Sequence, residues 1–290
     1  MSRGKRVKMD DRDAFYHVMS RVTGEQYLLR SADVKEAMLD ALHRSAAFSG
    51  VDVAGFCIMD THFHVLIRVP KRDAGTLPDE EVLRRAGLLC GERGFARLRD
   101  ELDALGAAGD VDGIKRKFDR YRARMHDVSE FMKTFLETFG TRFRRIRPYA
   151  GRLWGDRFKS VLIEDAKQLL RCKRYIELNP VRAGMVNRVC AYAWSTEGAA
   201  SRGDEFAKAC LAWLSSLMAG DAPVEEWMTR RCAQMTSGKI LGGKAYVGAM
   251  IALHAGCFRS KSLCARQVAD GLYASHGYRL AKKDAASRAA

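Results

Sequence analysis

Apolar and polar positions along the chain divide it into short segments of recognisable period. After a charged and polar start (residues 1 to 13), FYHVMSRV (15 to 22) alternates in the manner of a β-strand. Val34, Met38, Ala41, Leu42 and Ser45 then follow a helical spacing, with Ser31 placed to cap the helix and Gly50 just past its end. VDVAGFCIMD (51 to 60) is apolar on both faces, as an interior strand would be. After a tight turn at Asp60 and Thr61, HFHVLIRVP completes an antiparallel hairpin. From Lys71 to about Asp127 the chain is polar and helix-prone without a strand signal, which predicts a helical insertion. Phe131, Phe135, Phe139 and Phe143 recur every fourth residue, and Ile146 continues the stripe until Pro148 stops it. RFKSVLI (157 to 163) reads as another strand. Asp165 opens a helix through Leu169, Leu170 and Tyr175 that must end near Asn179, because Pro180 follows.

The resulting order, βαββαβα, predicts an α+β fold: a ferredoxin-like antiparallel sheet with helices packed on one face. It spans residues 14 to 195, with the insertion at about 71 to 127. Beyond Trp194, STEGAASRGDE reads as a linker, and helical segments around 205 to 219, 224 to 236 and 243 to 255 follow. The last part, from Phe258, is basic and less regular, with Arg279, Lys282, Lys283 and Arg288 near its end. Residues 196 to 290 are therefore expected to form a basic, mainly helical extension.

Charge narrows the partner. Lys and Arg number 50 against 35 Asp and Glu, a formal net charge of +15, and such an excess most readily serves a polyanion, nucleic acid before an acidic membrane. No apolar run approaches the roughly 20 residues needed to cross a bilayer, and MSRGKRVKMDDRDAF lacks the apolar core of a signal peptide, which predicts a cytoplasmic protein. The eight cysteines include no CxxC pair and read as buried reduced thiols; Cys257 and Cys264, near His254 and His276, have the wrong spacing for a common zinc finger.

Side chains on a strand alternate faces, so His62, His64 and Leu66 share one face while Phe63, Val65, Ile67 and Val69 point into the core. Two imidazoles on one face can share a cation, although two histidines on a solvent-facing strand need no ligand. Tyr175 and Asn179 lie four apart and offer a hydroxyl beside an amide oxygen on one helical face. Taken separately, Tyr175 also suits a core position and Asn179 a helix terminator before proline. A tyrosine attacking a phosphodiester needs its target polarised, which a divalent ion does without proton transfer. Two histidines and an amide oxygen would leave positions open for substrate, with Mg2+ or Mn2+ as the expected metal. Arg142, Arg144, Arg145, Arg147 and Arg152 form a dense cationic stretch suited to phosphates.

THFHVLIRVP, LWGDRFKSVL and RYIELNPVRAGMV followed by YAWS, in that order, resemble the REP-associated tyrosine transposases, relatives of the small single-strand insertion-sequence transposases of the HUH superfamily. The resemblance covers roughly residues 14 to 195. It implies that His62 and His64 are paired metal ligands, Tyr175 the nucleophile and Asn179 a third ligand. Trp154, Arg157 and Lys159 become candidates for contacts to a strand or hairpin. The implied reaction is metal-dependent cleavage and rejoining of single-stranded DNA through a 5′-phosphotyrosine, on hairpin or palindromic repeat DNA. Many relatives have Pro-Asn before the first histidine; this chain has Asp60 and Thr61. The rival readings are a DNA-binding regulator with a vestigial site and an RNA-binding ferredoxin-like module that uses its sheet as a stacking platform.

Overall fold

The computed structural model describes residues 6–72, 77–217, 239–254, 263–269 and 272–277. It is an α+β structure built on one seven-stranded sheet. Strand β1 (Ala14–Arg21) leads to helix α1 (Ala32–Ser49), then the hairpin β2 (Asp52–Ile58) and β3 (His62–Val69). The insertion supplies α2 (Asp79–Ala107) and α3 (Val111–Arg122), and the chain returns through α4 (Val128–Ile146), β4 (Lys159–Ile163) and α5 (Ala166–Glu177). Four short elements follow: α6 (Asn179–Arg182), α7 (Thr196–Ser201), α8 (Glu205–Leu217) and β5 (Ile240–Gly242). Helix α9 (Lys244–Leu253) and the strands β6 (Leu263–Ala269) and β7 (Leu272–Gly277) complete the described chain.

The sheet runs β2-β3-β1-β4-β5-β7-β6. Its first four strands are antiparallel neighbours, as the period-2 patterns led one to expect, but β4 and β5 are parallel, so the sheet is mixed. Among the described residues of the C-terminal region, α8 and α9 lie within the expected helical segments, and β5, β7 and β6, which the sequence patterns did not disclose, extend the sheet. The expected helix at 224 to 236, and the basic end from Arg279, lie outside the described residues.

Helices cover both faces of the sheet rather than one. On the first face, Phe131, Phe135, Phe139 and Phe143 of α4 and Val34, Met38, Ala41 and Leu42 of α1 pack on Tyr16, Val18, Phe63, Val65 and Ile67. Ile146 does not continue that stripe; it is 36% exposed at the end of α4. On the second face, Leu169, Cys172 and Ile176 of α5 pack on Met19, Ala54, Leu66, Val161 and Ile163. Two covering layers explain why β3 is buried at nearly every position, His64 included.

Four local expectations change. Ser31 occupies the N-cap of α1 without a side-chain cap bond, whereas Gly50 ends that helix in the left-handed conformation (φ 64°), which a Cβ would strain. Strand β2 is not interior but lies at the sheet edge. Its apolar character reflects a covered edge: the Ile58 N–H donates to Trp194 O (2.9 Å), Cys57 bridges to Ser195, and Thr196 Oγ1 accepts from Phe56 N (2.7 Å). STEGAASRGDE is therefore no linker; Ser195 and Thr196 are fully buried and α7 begins there, capped by Ser195. Among the described cysteines, Cys57, Cys172 and Cys210 are buried but Cys90 and Cys190 are exposed. No helix among the described residues is long and apolar enough to cross a membrane.

Candidate active site

Alternation along β3 sets His62 and His64 on the second face, and the layer above them is α5. His64 is only 3% exposed, so the pair does not sit on a solvent-facing strand. Tyr175 projects from α5 onto the same place: its ring centroid is 5.9 Å from that of His64, edge to face. The rings of His62 and His64 stand perpendicular with centroids 5.0 Å apart. Three of the four residues singled out from sequence thus meet between β3 and α5.

Each imidazole has one nitrogen engaged. His62 Nδ1 lies 3.0 Å from Thr61 Oγ1, and His64 Nδ1 lies 2.9 Å from Nε2 of His17 on β1. In both rings Nε2 is the nitrogen left for other work. Burial, reinforced by the Arg21 charge, lowers His62 to about 4. Burial also holds His64 well below the ordinary histidine value, with His17, His62 and Arg21 adding to the effect. Both rings are therefore neutral at physiological pH, the state in which an imidazole offers a lone pair to a cation.

The turn before His62 is well tied despite its departure from the Pro-Asn pattern. Lys35, 3% exposed, donates from Nζ to Asp60 Oδ1 (2.7 Å) and to the Tyr192 hydroxyl (2.9 Å). Tyr192 in turn donates to Ile58 O (2.7 Å). Val22 N donates to Thr61 O (2.9 Å), and Leu29 N to Asp60 O (3.0 Å). Asp60 thus acts as the counter-ion of a buried lysine, and Thr61 as a hydroxyl partner for His62.

Helix α5 opens on Asp165, whose carboxylate accepts from Gln168 N (2.8 Å), and ends at Glu177. Leu178 remains in helical conformation, so Asn179, the first residue of α6, follows almost in register with Tyr175. Its amide nitrogen donates to Tyr175 O (3.0 Å) and Ile176 O (3.3 Å), satisfying helix-end carbonyls and leaving the amide oxygen as the group that can face a cation. On the opposite side of α5, buried Lys173 pairs with Glu197 of α7 and lies 3.5 Å from Glu177. Burial holds the Glu177 carboxyl above its usual range, against the pull of Lys173.

The sequence-predicted cations fall into two groups. Lys159 belongs to the site's face: it opposes Met19 on β1, and Met19 opposes His64 on β3. Directly opposed residues of antiparallel strands share a face, so exposed Lys159 stands two strand spacings, roughly 10 Å, from His64. Arg142, Arg144 and Arg145 belong to α4, in the layer on the other face, and Arg147 follows as its C-cap; Arg142 is paired with Asp40, and the other three are exposed. Arg152 and Arg157 are exposed in the segment between α4 and β4. Trp154, partly buried, packs on Phe63 (5.6 Å between centroids) and Phe139 (5.9 Å) of the first face.

Three residues near the site were not singled out. Arg21 is in register with His62, with Nη1 3.4 Å from Thr61 Oγ1. The Arg182 guanidinium lies 5.2 Å over the Tyr175 ring. His17 alternates with Tyr16 and Val18 and so shares a face with Met19, a signal that needed only the knowledge that β1 lies beside β3. Among the described residues no group of three or more His, Cys, Asp or Glu is arranged to hold a metal, so any metal here would rely on His62, His64 and the Asn179 amide.

No family model matches the chain, and no curated protein does. Among solved structures, the chain is similar to a REP-associated tyrosine transposase bound to a REP hairpin, at 16% identity and a TM-score of 0.41. The similarity covers 68% of this chain and 82% of that one. A likeness at that level leaves the functional reading to rest on the chain's own residues.

Proposed function

We propose that the chain cleaves and rejoins single-stranded DNA, with Tyr175 as nucleophile on a ferredoxin-like core formed by residues 14 to 195. The observation that carries this reading is the packing of Tyr175 on buried His64, itself beside half-buried His62, with both imidazoles neutral and on one face of the sheet. In the proposed transesterification the Tyr175 oxygen forms a bond to phosphorus and the bond from phosphorus to the 3′ oxygen breaks. The tyrosine proton is lost to solvent and the departing 3′ oxygen gains one, leaving a 5′-phosphotyrosine and a free 3′ hydroxyl. Rejoining runs through the same bonds in reverse, so no external energy source is needed.

The donor set fits a divalent cation, Mg2+ or Mn2+: two neutral imidazoles with Nε2 available and an amide oxygen, a ligand set that adds no negative charge of its own. Such an ion would supply polarisation of the scissile phosphate. The chain's own residues do the rest. Helix α5 presents the hydroxyl, Arg182 lies over the reacting ring, and Arg21 and Lys159 offer positive charge to the phosphates on either side. A hairpin-bearing strand is the proposed substrate, with Arg144, Arg145, Arg147, Arg152 and Arg157 available to its duplex part from the other side of the sheet.

The test is a hairpin oligonucleotide carrying a single-stranded flank, incubated with Mn2+ and resolved under denaturing conditions. Wild-type protein should form a covalent adduct. Tyr175→Phe should form none while binding the hairpin within about threefold, because only the nucleophilic oxygen is lost. An adduct with Tyr175→Phe would overturn the assignment. Its nearest substitutes are poorly placed: Tyr192 is buried and bonded to Ile58 O, and Tyr149 packs on Phe143 in the other layer.

A further inference from the structure

His17 is fully buried on β1, and its Nε2 meets Nδ1 of His64 at 2.9 Å. The rings are 5.0 Å apart and tilted by 36°, so they meet edge to edge rather than stacking. Between two neutral imidazoles such a contact holds one proton, and its position decides what His64 can do. If His17 donates, His64 accepts on Nδ1 and must carry its own proton on Nε2, which then cannot ligate. If His64 donates its Nδ1–H, His17 accepts on Nε2, and His64 Nε2 keeps a lone pair.

We propose that His17 is a positioning residue: its Nε2 accepts the Nδ1–H of His64 and so fixes His64 in the tautomer whose Nε2 is available to a cation. The inference rests on the reading of His64 as a metal ligand given above. Among the described residues, the contact with His17 is the one hydrogen bond of the His64 side chain, so the tautomer is set from β1 and not from within the hairpin. The same logic operates at His62 through Thr61, whose hydroxyl can rotate between donating and accepting without any change of tautomer. The aromatic nitrogen of His17, held by burial in the sheet, is the more rigid control. A ligating histidine whose second nitrogen is held by such a partner loses roughly 10- to 100-fold in metal affinity when the partner is removed.

The experiment uses the full-length, nitrogen-15-labelled protein without added metal. Long-range proton–nitrogen correlations of the imidazoles near neutral pH should show His64 protonated on Nδ1 and bare on Nε2; protonation on Nε2 overturns the proposal with no variant needed. His17→Gln, whose amide oxygen can accept the same proton, should keep that pattern. His17→Leu, similar in bulk but unable to accept, should lose it while retaining a cooperative thermal transition. Free Mn2+, followed by electron paramagnetic resonance, should bind about 10- to 100-fold more weakly to His17→Leu than to wild type, and within about threefold of wild type to His17→Gln. An unchanged His64 tautomer in His17→Leu overturns the positioning role. Wild-type protein that shows the expected tautomer but takes up no Mn2+ would instead count against the metal site and leave the control of His64 by His17 standing.

Discussion

Asn substituted for Asp60 should destabilise the fold by about 3 kcal/mol, the low end of the roughly 3–5 kcal/mol seen when a buried charge loses its partner. The Lys35 ammonium is 3% exposed and lies 2.7 Å from the Asp60 carboxylate, which is itself 17% exposed. At that distance an effective dielectric near 20 gives about 6 kcal/mol of gross attraction, most of it offset by the desolvation of the lysine. An asparagine oxygen can still accept the hydrogen bond but brings no charge, so that oxygen and the Tyr192 hydroxyl face the ammonium as neutral partners. Lys35→Met removes the charge itself. The thioether chain fills the stem's space, Tyr192 keeps its bond to Ile58 O, and the partly exposed Asp60 can rehydrate, so the cost should be about 1 kcal/mol. Lys35→Met with Asp60→Asn should then cost about as much as Lys35→Met alone, giving a coupling of about 2–3 kcal/mol. Urea unfolding with an unchanged slope measures all three. Additive effects within about 0.5 kcal/mol would refute the reasoning and mean that backbone bonds, not this ion pair, hold the turn that delivers His62.

Phe135→Ala, at the centre of the α4 stripe and fully packed against Phe63, should cost about 3–5 kcal/mol in the same urea assay; less than 1 kcal/mol would mean that the stripe is not core. His62, at about 4 when folded and near its ordinary value when unfolded, makes the unfolded chain bind more protons in between. Its contribution to stability is therefore full above about pH 6.5 and is lost as pH falls towards 4, and a His62→Gln variant should show a shallower acid slope in thermal melts. Lys159→Ala should weaken binding of single-stranded flank DNA and reduce its salt slope by about one, whereas an unchanged slope would place the strand elsewhere. Arg144→Ala with Arg145→Ala should act mainly on affinity for the duplex stem and leave the cleavage rate of bound substrate unchanged, as a single-turnover assay would show.

Local periodicity disclosed much of this structure because the residues that share a face are fixed by the repeat of 2.0 or 3.6 alone. His62 with His64, Tyr175 nearly in line with Asn179, and the four phenylalanines of α4 were all legible in that way. What stayed hidden depends on neighbours distant in sequence. Alternation put His17 on a face, but its bond to His64 spans 47 positions and requires β1 to lie beside β3. β2 looked interior because both faces and its outer edge are covered, the edge by a polar segment from beyond Trp194 whose hydroxyls bond to backbone and so belong indoors. The three residues of β5 were too short to leave a periodic trace. The arginines of α4 stood close to the site in sequence order, yet a helix crossing to the other layer carried them away from it.

The segment from Tyr192 to Glu197 explains how two elements so far apart in sequence keep a common geometry. It bonds to the strand before the histidine turn through the Tyr192 hydroxyl, to the edge of β2 through Trp194, Ser195 and Thr196, and to α5 through the ion pair of Glu197 with Lys173. Together they fix α5 to the strand beside β3. Gly55 of β2 lies under this junction, where a Cβ would come within 3.3 Å of Thr196 Oγ1, a tight contact that the hydroxyl would have to yield to, and within ordinary contact of Lys173 Cγ at 3.6 Å. Gly198 is more constrained, since a Cβ would fall 1.7 Å from Tyr192 O. The sequence YAWSTEG thus reads as a strap whose polar side chains are spent inward, on backbone and on buried charge. Its contribution to the proposed reaction is distance: it holds a hydroxyl on one element and two imidazoles on another within reach of a single phosphate.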